Sequence, residues 1–148
     1  MKLKTLPHRL IAFLIAATAT ITMHSAYADE VALIDTMKGL QYFTHKTSLA
    51  VDAKNAPLAE FYTHELEELL EELTTVPSYH GQPIAKLSDA LLKQSFERLE
   101  TAIKKQQWPQ SSQALDLMID SCNQCHKATQ HGFIEIQRQS HNPYFQKF

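Results

Sequence analysis

The chain has 148 residues with 14 Lys or Arg and 16 Asp or Glu, which gives a net charge of −2 with neutral histidines. Nucleic-acid binding needs a basic face, so an acidic chain argues against it. Only three residues are Gly, and the alternation of β-branched residues that is typical of strands is hard to find beyond the first 28 residues. Composition and pattern therefore favour an all-α fold.

Residues 1–28 have the three-part layout of an export signal. Three basic residues open the segment, residues 10–17 are apolar, and Ala26-Tyr27-Ala28 has the small-x-small pattern that a signal peptidase cuts. The apolar stretch is too short and too rich in Thr for a stable membrane anchor, which needs roughly 20 apolar residues. We predict that residues 1–28 are removed on export to the periplasm. Residues 29–148 then keep 11 basic and 16 acidic side chains, a net charge near −5, and form a single domain.

The first two helices are predicted from apolar residues that recur at helical spacing. The first runs from Val31 to about Ala53. The second follows Asn55, which can cap it, and has Pro57 in its first turn, where a missing amide proton has no cost. Pro77 is expected to end it.

The third helix is predicted from Ile84 to Ile103, and the fourth follows a cap at Ser111 or Ser112 and stops at Gly132. Four helices with short connections predict an up-down-up-down four-helix bundle. Residues 133–148 are rich in aromatic side chains but are broken by Asn142-Pro143. We expect them to form an extended C-terminal tail packed on the bundle.

The fourth helix carries the motif Cys122-Asn123-Gln124-Cys125-His126. Two thiols three residues apart, followed at once by a histidine, match covalent c-type haem attachment, in which each thiol adds to one vinyl group. Positions 122, 125 and 126 share one side of a helix, so His126 can reach the iron of a porphyrin that lies against it. This attachment takes place outside the membrane, in agreement with an export signal. The motif predicts one haem c, bound covalently by Cys122 and Cys125, with His126 as the proximal iron ligand.

Three alternatives remain open for these cysteines. A thioredoxin-like dithiol would be expected beside a βαβ unit, and the pattern contains none. A zinc site could use Cys122, Cys125, His126 and His131, all taken to lie on the same helix, although neighbouring residues are poor joint ligands of one tetrahedral ion. A disulfide would close too small a loop to stabilise the fold much.

The sixth ligand of the iron would come from the helix that lies beside the end of the fourth. In an up-down-up-down bundle this is the start of the first helix, and His126 and Met37 lie roughly 8 and 10 Å from that end. Met37 is therefore the candidate distal ligand, although a Met on an apolar stripe can equally be core filler. His45 and His64 lie farther along, at roughly 22 and 18 Å, and could meet each other or a haem propionate.

A four-helix bundle with its haem motif near the end of the last helix resembles the class II cytochromes c, the cytochrome c-prime group. The likeness covers roughly Val31 to Gln130. It implies a periplasmic monohaem protein, often a dimer, that carries electrons or binds small gases at the iron. Two departures indicate a divergent branch: the family usually has a basic residue where this chain has Gln130, and 22 residues follow His126 here.

These observations predict a periplasmic one-electron carrier with one covalent haem, which is not an enzyme and which docks with a redox partner protein. The alternative is a gas-binding protein with five-coordinate iron that takes up NO or CO. A peroxidase would need an acid–base group over the iron. His45 is the only candidate, and its estimated height argues against that role.

Overall fold

The computed structural model describes residues 32–148, so the predicted export signal and its cleavage site lie outside the described residues. This part of the chain is 70% helical and contains no strand. The helices are α1 (32–52), α2 (Ala56–Thr74), α3 (Ile84–Lys104) and α4 (Trp108–Ala128). They form an up-down-up-down bundle, which confirms the predicted fold class.

Local signals set the start of α2 as expected, but not the start of α4. The side chain of Asn55 accepts a hydrogen bond from the Leu58 amide at 3.4 Å, and Pro57 lies in the first turn. The predicted cap at Ser111 or Ser112 is wrong. A left-handed residue, Gln106 (φ 52°), reverses the chain after α3, and α4 begins directly afterwards. The Ser111 hydroxyl is therefore inside the helix, where it donates to the Gln107 carbonyl at 3.0 Å.

The predicted end of α4 at Gly132 is also wrong, because the helix ends at Ala128. Gln130 adopts a left-handed conformation (φ 65°) and its amide donates to the Lys127 carbonyl. The His131 amide donates to the His126 carbonyl at 2.7 Å. This pair of hydrogen bonds is a Schellman motif, which satisfies the last carbonyls of a helix and turns the chain away from the axis. His131 consequently lies beyond α4, and the tail runs back over the motif.

The two ends of the bundle differ in packing. We call the end with the α1–α2 and α3–α4 turns the closed end. It contains the larger core cluster, in which Leu66, Leu99 and Leu115 are fully buried. The opposite end, with the α2–α3 loop and the last turn of α4, is the open end. A smaller cluster buries four residues there: Leu33, Leu73, Ile84 and Leu92.

The extended tail packs on the bundle as predicted. Arg138 donates to Ser48 and Asp52 of α1 and to Ser112 and Asp116 of α4, so one side chain joins two helices. On either side of Arg138, Ile136 and Phe148 pack against the larger core cluster. None of the helices within residues 32–148 has the length and hydropathy needed to cross a bilayer.

Candidate functional site

The open end of the bundle contains an apolar cavity of about 350 Å³. Cofactor sites usually have volumes of roughly 300–1,000 Å³ with a mostly apolar lining, so this cavity is of the right kind. All four helices, the α2–α3 loop and the tail contribute to its walls. Representative lining residues are Leu33 and Leu40 of α1, Leu73 of α2, Leu92 of α3, Met118 of α4 and Ile136 of the tail.

The reactive side chains of the sequence motif face this cavity. Cys122, Cys125 and His126 all line it, on the wall formed by the last turns of α4. Cys125 is buried, Cys122 is half-buried, and both thiols are free. The helical spacing therefore brings together the three side chains that it was expected to bring together.

The electrostatics of the two thiols do not suit a redox dithiol. Burial and, to a lesser extent, the neighbouring Cys125 thiol together raise the pKa of Cys122 to about 12. Burial also raises the pKa of Cys125. Reactive cysteines of oxidoreductases have lowered pKa values, because the thiolate is the nucleophile. The geometry gives no support to zinc either, since residues 32–148 contain no group of three or more His, Cys, Asp or Glu side chains placed to hold a metal ion.

The tail fixes the imidazole of His126. Nδ1 of His126 lies 2.9 Å from the carbonyl oxygen of Ile134. A carbonyl only accepts hydrogen bonds, so Nδ1 carries the proton and Nε2 keeps its lone pair. Histidines that ligate metals in proteins commonly donate their other ring N–H in this way, which fixes the tautomer and the ring orientation.

Met37 lines the same cavity as His126, from α1. Met37 and His126, which were predicted at similar heights in the bundle, therefore lie at one site. The Met37 thioether is half-buried and packs against the smaller core cluster. Iron binding by Met37 remains a prediction, and the location of its side chain at the cavity suits an iron ligand.

His45 and His64 do not meet each other, which was one of the possibilities that the sequence left open. His45 is covered by the tail: its Nε2 donates to the His141 carbonyl at 3.1 Å, and its Nδ1 accepts from the Tyr144 hydroxyl at 3.1 Å. His64 is exposed beside Glu67 and Glu68 on α2. Neither histidine lines the cavity that holds His126. The acid–base role considered for His45 consequently has no geometric support.

Several lining residues could not be found from the sequence. Tyr79 comes from the α2–α3 loop, and Ile134 and Ile136 come from the tail. His131 also lines the cavity, with its ring centroid 5.9 Å from that of Tyr79. His131, Ile134 and Ile136 reach the site because α4 ends at Ala128 and the chain turns back, and no short sequence motif predicts that turn.

The residues at the open end fit a covalently bound haem. Two thiols and an imidazole whose Nδ1 is bound by the Ile134 carbonyl share one wall of a cavity, and the other walls are mostly apolar. Comparisons with protein-family models, with curated proteins and with solved structures give no match. The evidence for a function therefore consists of the motif at residues 122–126 and the arrangement of its side chains at the cavity.

Proposed function

We propose that this protein is an exported monohaem c-type cytochrome that carries single electrons in the periplasm. Cys122 and Cys125 would hold one haem c through thioether bonds, and Nε2 of His126 would bind its iron. One observation carries the proposal: these three side chains line one wall of a single apolar cavity. The resemblance of the motif and the bundle to the class II cytochromes c supports the same assignment.

The surrounding residues suit a redox site. The bound group would supply one-electron iron chemistry, and the protein sets its potential through ligand strength, hydrogen bonding and burial. The Ile134 carbonyl keeps His126 in the tautomer that a metal ligand requires. Buried apolar side chains such as Leu73 and Leu92 form the inner wall of the cavity.

Met37 decides between the two functions that the sequence suggests. A thioether bond from Met37 would complete a six-coordinate iron, which favours electron transfer over ligand binding. Without that bond the position would stay open for NO or CO. The half-buried Met37 side chain at the cavity supports the electron carrier as the first choice.

Covalent attachment can be tested directly with the two cysteines. The wild type and a C122S/C125S variant are produced in a host with haem-maturation machinery and separated on a denaturing gel stained for haem. H64A serves as the control, because His64 is exposed on α2 and does not line the cavity.

We expect haem to stay with the wild-type and H64A chains through denaturation and to be absent from C122S/C125S, because that variant cannot form a thioether. A wild-type chain that gives up its haem to acidic acetone would contradict the proposal. Equal haem staining of C122S/C125S and wild type would contradict it as well.

A further inference from the structure

The first residue between the two motif cysteines binds the backbone of the tail. The Asn123 amide group donates to the Ile136 carbonyl at 2.9 Å, and its Oδ1 accepts from the Ile136 amide at 2.8 Å. One side chain thus satisfies both backbone groups of Ile136. Two hydrogen bonds to a single residue fix the position and also the direction of the tail at this point.

The chain between His126 and Ile136 is held at both ends. The Schellman motif fixes its start, where the His131 amide donates to the His126 carbonyl. The Ile134 amide donates to the His131 carbonyl at 2.8 Å in the middle of the segment. Asn123 fixes its end, two residues after the Ile134 carbonyl that accepts from Nδ1 of His126.

We infer that Asn123 is a positioning residue for His126. Through Ile136 it holds the Ile134 carbonyl against Nδ1 of His126, and so it sets the orientation and the donor strength of the imidazole. A hydrogen bond from Nδ1–H to an acceptor makes Nε2 a stronger donor, which stabilises the higher charge of oxidised iron. Asn123 is therefore expected to lower the reduction potential. This inference rests on the proposed function.

A purely structural role would have a different signature. Arg138 and Gln146 hold the tail at other points, through Asp52 and Asp116 and through Lys46 and Tyr62. Replacing Asn123 should therefore release the segment around residues 134–136 without detaching the whole tail. Loss of the two hydrogen bonds between Asn123 and Ile136 would then change the orientation of the His126 imidazole and, with it, the reduction potential, while the bundle stays folded.

The test is the reduction potential of the haem-loaded protein, measured by a redox titration followed by absorbance. N123A is compared with wild type and with Q124A, which changes the exposed neighbouring position of the same motif. We expect N123A to raise the equilibrium constant for one-electron reduction about tenfold, a shift of about 59 mV, and Q124A to leave it unchanged. Haem content per chain and far-ultraviolet circular dichroism are recorded for each variant.

A second variant breaks the same contact from the tail. I136P removes the amide proton that Asn123 accepts, so it should raise the potential in the same direction, and the effects of I136P and N123A should not add. Because Ile136 also lines the cavity, I136A, which keeps the backbone amide, is the control for the lost side chain. The comparison of I136P with I136A decides the matter if N123A is not recovered with haem. Potentials of N123A and I136P equal to that of wild type, with haem bound, would overturn this inference and leave the proposed function intact. A wild-type chain without covalent haem would overturn the proposed function itself.

Discussion

The closed and open ends of this bundle are built from the same four helices but pack differently. At the closed end, side chains such as Leu66, Leu99 and Leu115 are fully buried between the helices. At the open end, the smaller cluster around Leu33 and Leu73 borders a cavity of about 350 Å³. The difference indicates that one end maintains the fold while the other is shaped to hold a group.

The position of the reactive side chains supports this division. Cys122, Cys125 and His126 lie at the open end, where the apolar side chains that line the cavity have no protein atoms on their cavity side. Side chains beside a void lose the dispersion contacts that a filled core would give them. A flat apolar cofactor would restore those contacts, so the open end should be more sensitive than the closed end to whether haem is bound.

The largest expected effect compares one leucine from each end. Leu99 and Leu73 are both fully buried, but only Leu73 lines the cavity. L99A should lower the free energy of unfolding by about 2–5 kcal/mol, because it opens a new cavity in a filled core. L73A should lower it less in haem-free protein, because that side chain already borders a void. The measurement is urea unfolding of both variants, made with and without haem-maturation machinery.

In the haem-loaded protein, the cost of L73A should rise towards that of L99A, since the cofactor would then be a neighbour of the side chain. Equal costs for the two variants in the haem-free protein would contradict the difference between the ends.

A smaller effect is expected at the tail, which crosses from one end to the other. Arg138 keeps 23% of its side chain exposed and pairs with carboxylates that are 44% and 58% exposed, so solvent screens these pairs. Its hydrogen bonds to Ser48 and Ser112 add to them. R138A should therefore lower the free energy of unfolding by about 1–2 kcal/mol.

Thermal and urea unfolding of R138A are compared with those of R98A, which changes an exposed arginine of α3. R98A should be close to wild type, and both variants should keep their haem. A cost for R138A no larger than that for R98A would show that Arg138 does not help to hold the tail on the bundle.

The smallest effect concerns Lys46, which lies under the tail with only 9% of its surface exposed. Its Nζ is 4.8, 5.0 and 4.9 Å from the ring centroids of Tyr42, Tyr62 and Tyr144. Burial lowers the pKa of Lys46, but the hydrogen bonds that its ammonium group donates to Tyr42 and Tyr62 outweigh burial and raise the pKa above its usual value. Burial raises the pKa of Tyr144 above 10.0.

Both groups bind protons more tightly in the folded state, so their contribution to stability is complete below about pH 10 and is lost as the pH rises further. The unfolding midpoint should therefore fall on the alkaline side, and Y144F should make that fall shallower by removing one of the two groups. Thermal unfolding between about pH 8 and 11 measures this. Identical alkaline slopes for Y144F and wild type would mean that Tyr144 takes no part.

Local signals in the sequence predicted much of the fold. Asn55 and Pro57 determine the start of α2 because capping depends on residues a few positions apart. The face shared by Cys122, Cys125 and His126 follows from the helical period alone.

The errors came from features that depend on distant parts of the chain. The sequence predicted a stop at Gly132, whereas Gln130 adopts the left-handed conformation and the hydrogen bonds of the Schellman motif end α4 before it. The hydrogen bond between Nδ1 of His126 and the Ile134 carbonyl depends on that turn, so no short sequence pattern predicts it. The similar heights of His45 and His64 left open whether the two side chains meet, because the height along a helix does not determine which face a side chain occupies.

The most direct test of the central claim is the absorption spectrum of the purified protein, made in a host with haem-maturation machinery and recorded oxidised, reduced, and reduced under CO. The account predicts one covalent haem with a low-spin spectrum that CO leaves unchanged, from an iron bound by His126 and Met37. A high-spin spectrum that shifts with CO would contradict the electron carrier and favour the gas-binding alternative. A chain without haem absorbance would contradict the assignment of the open end altogether.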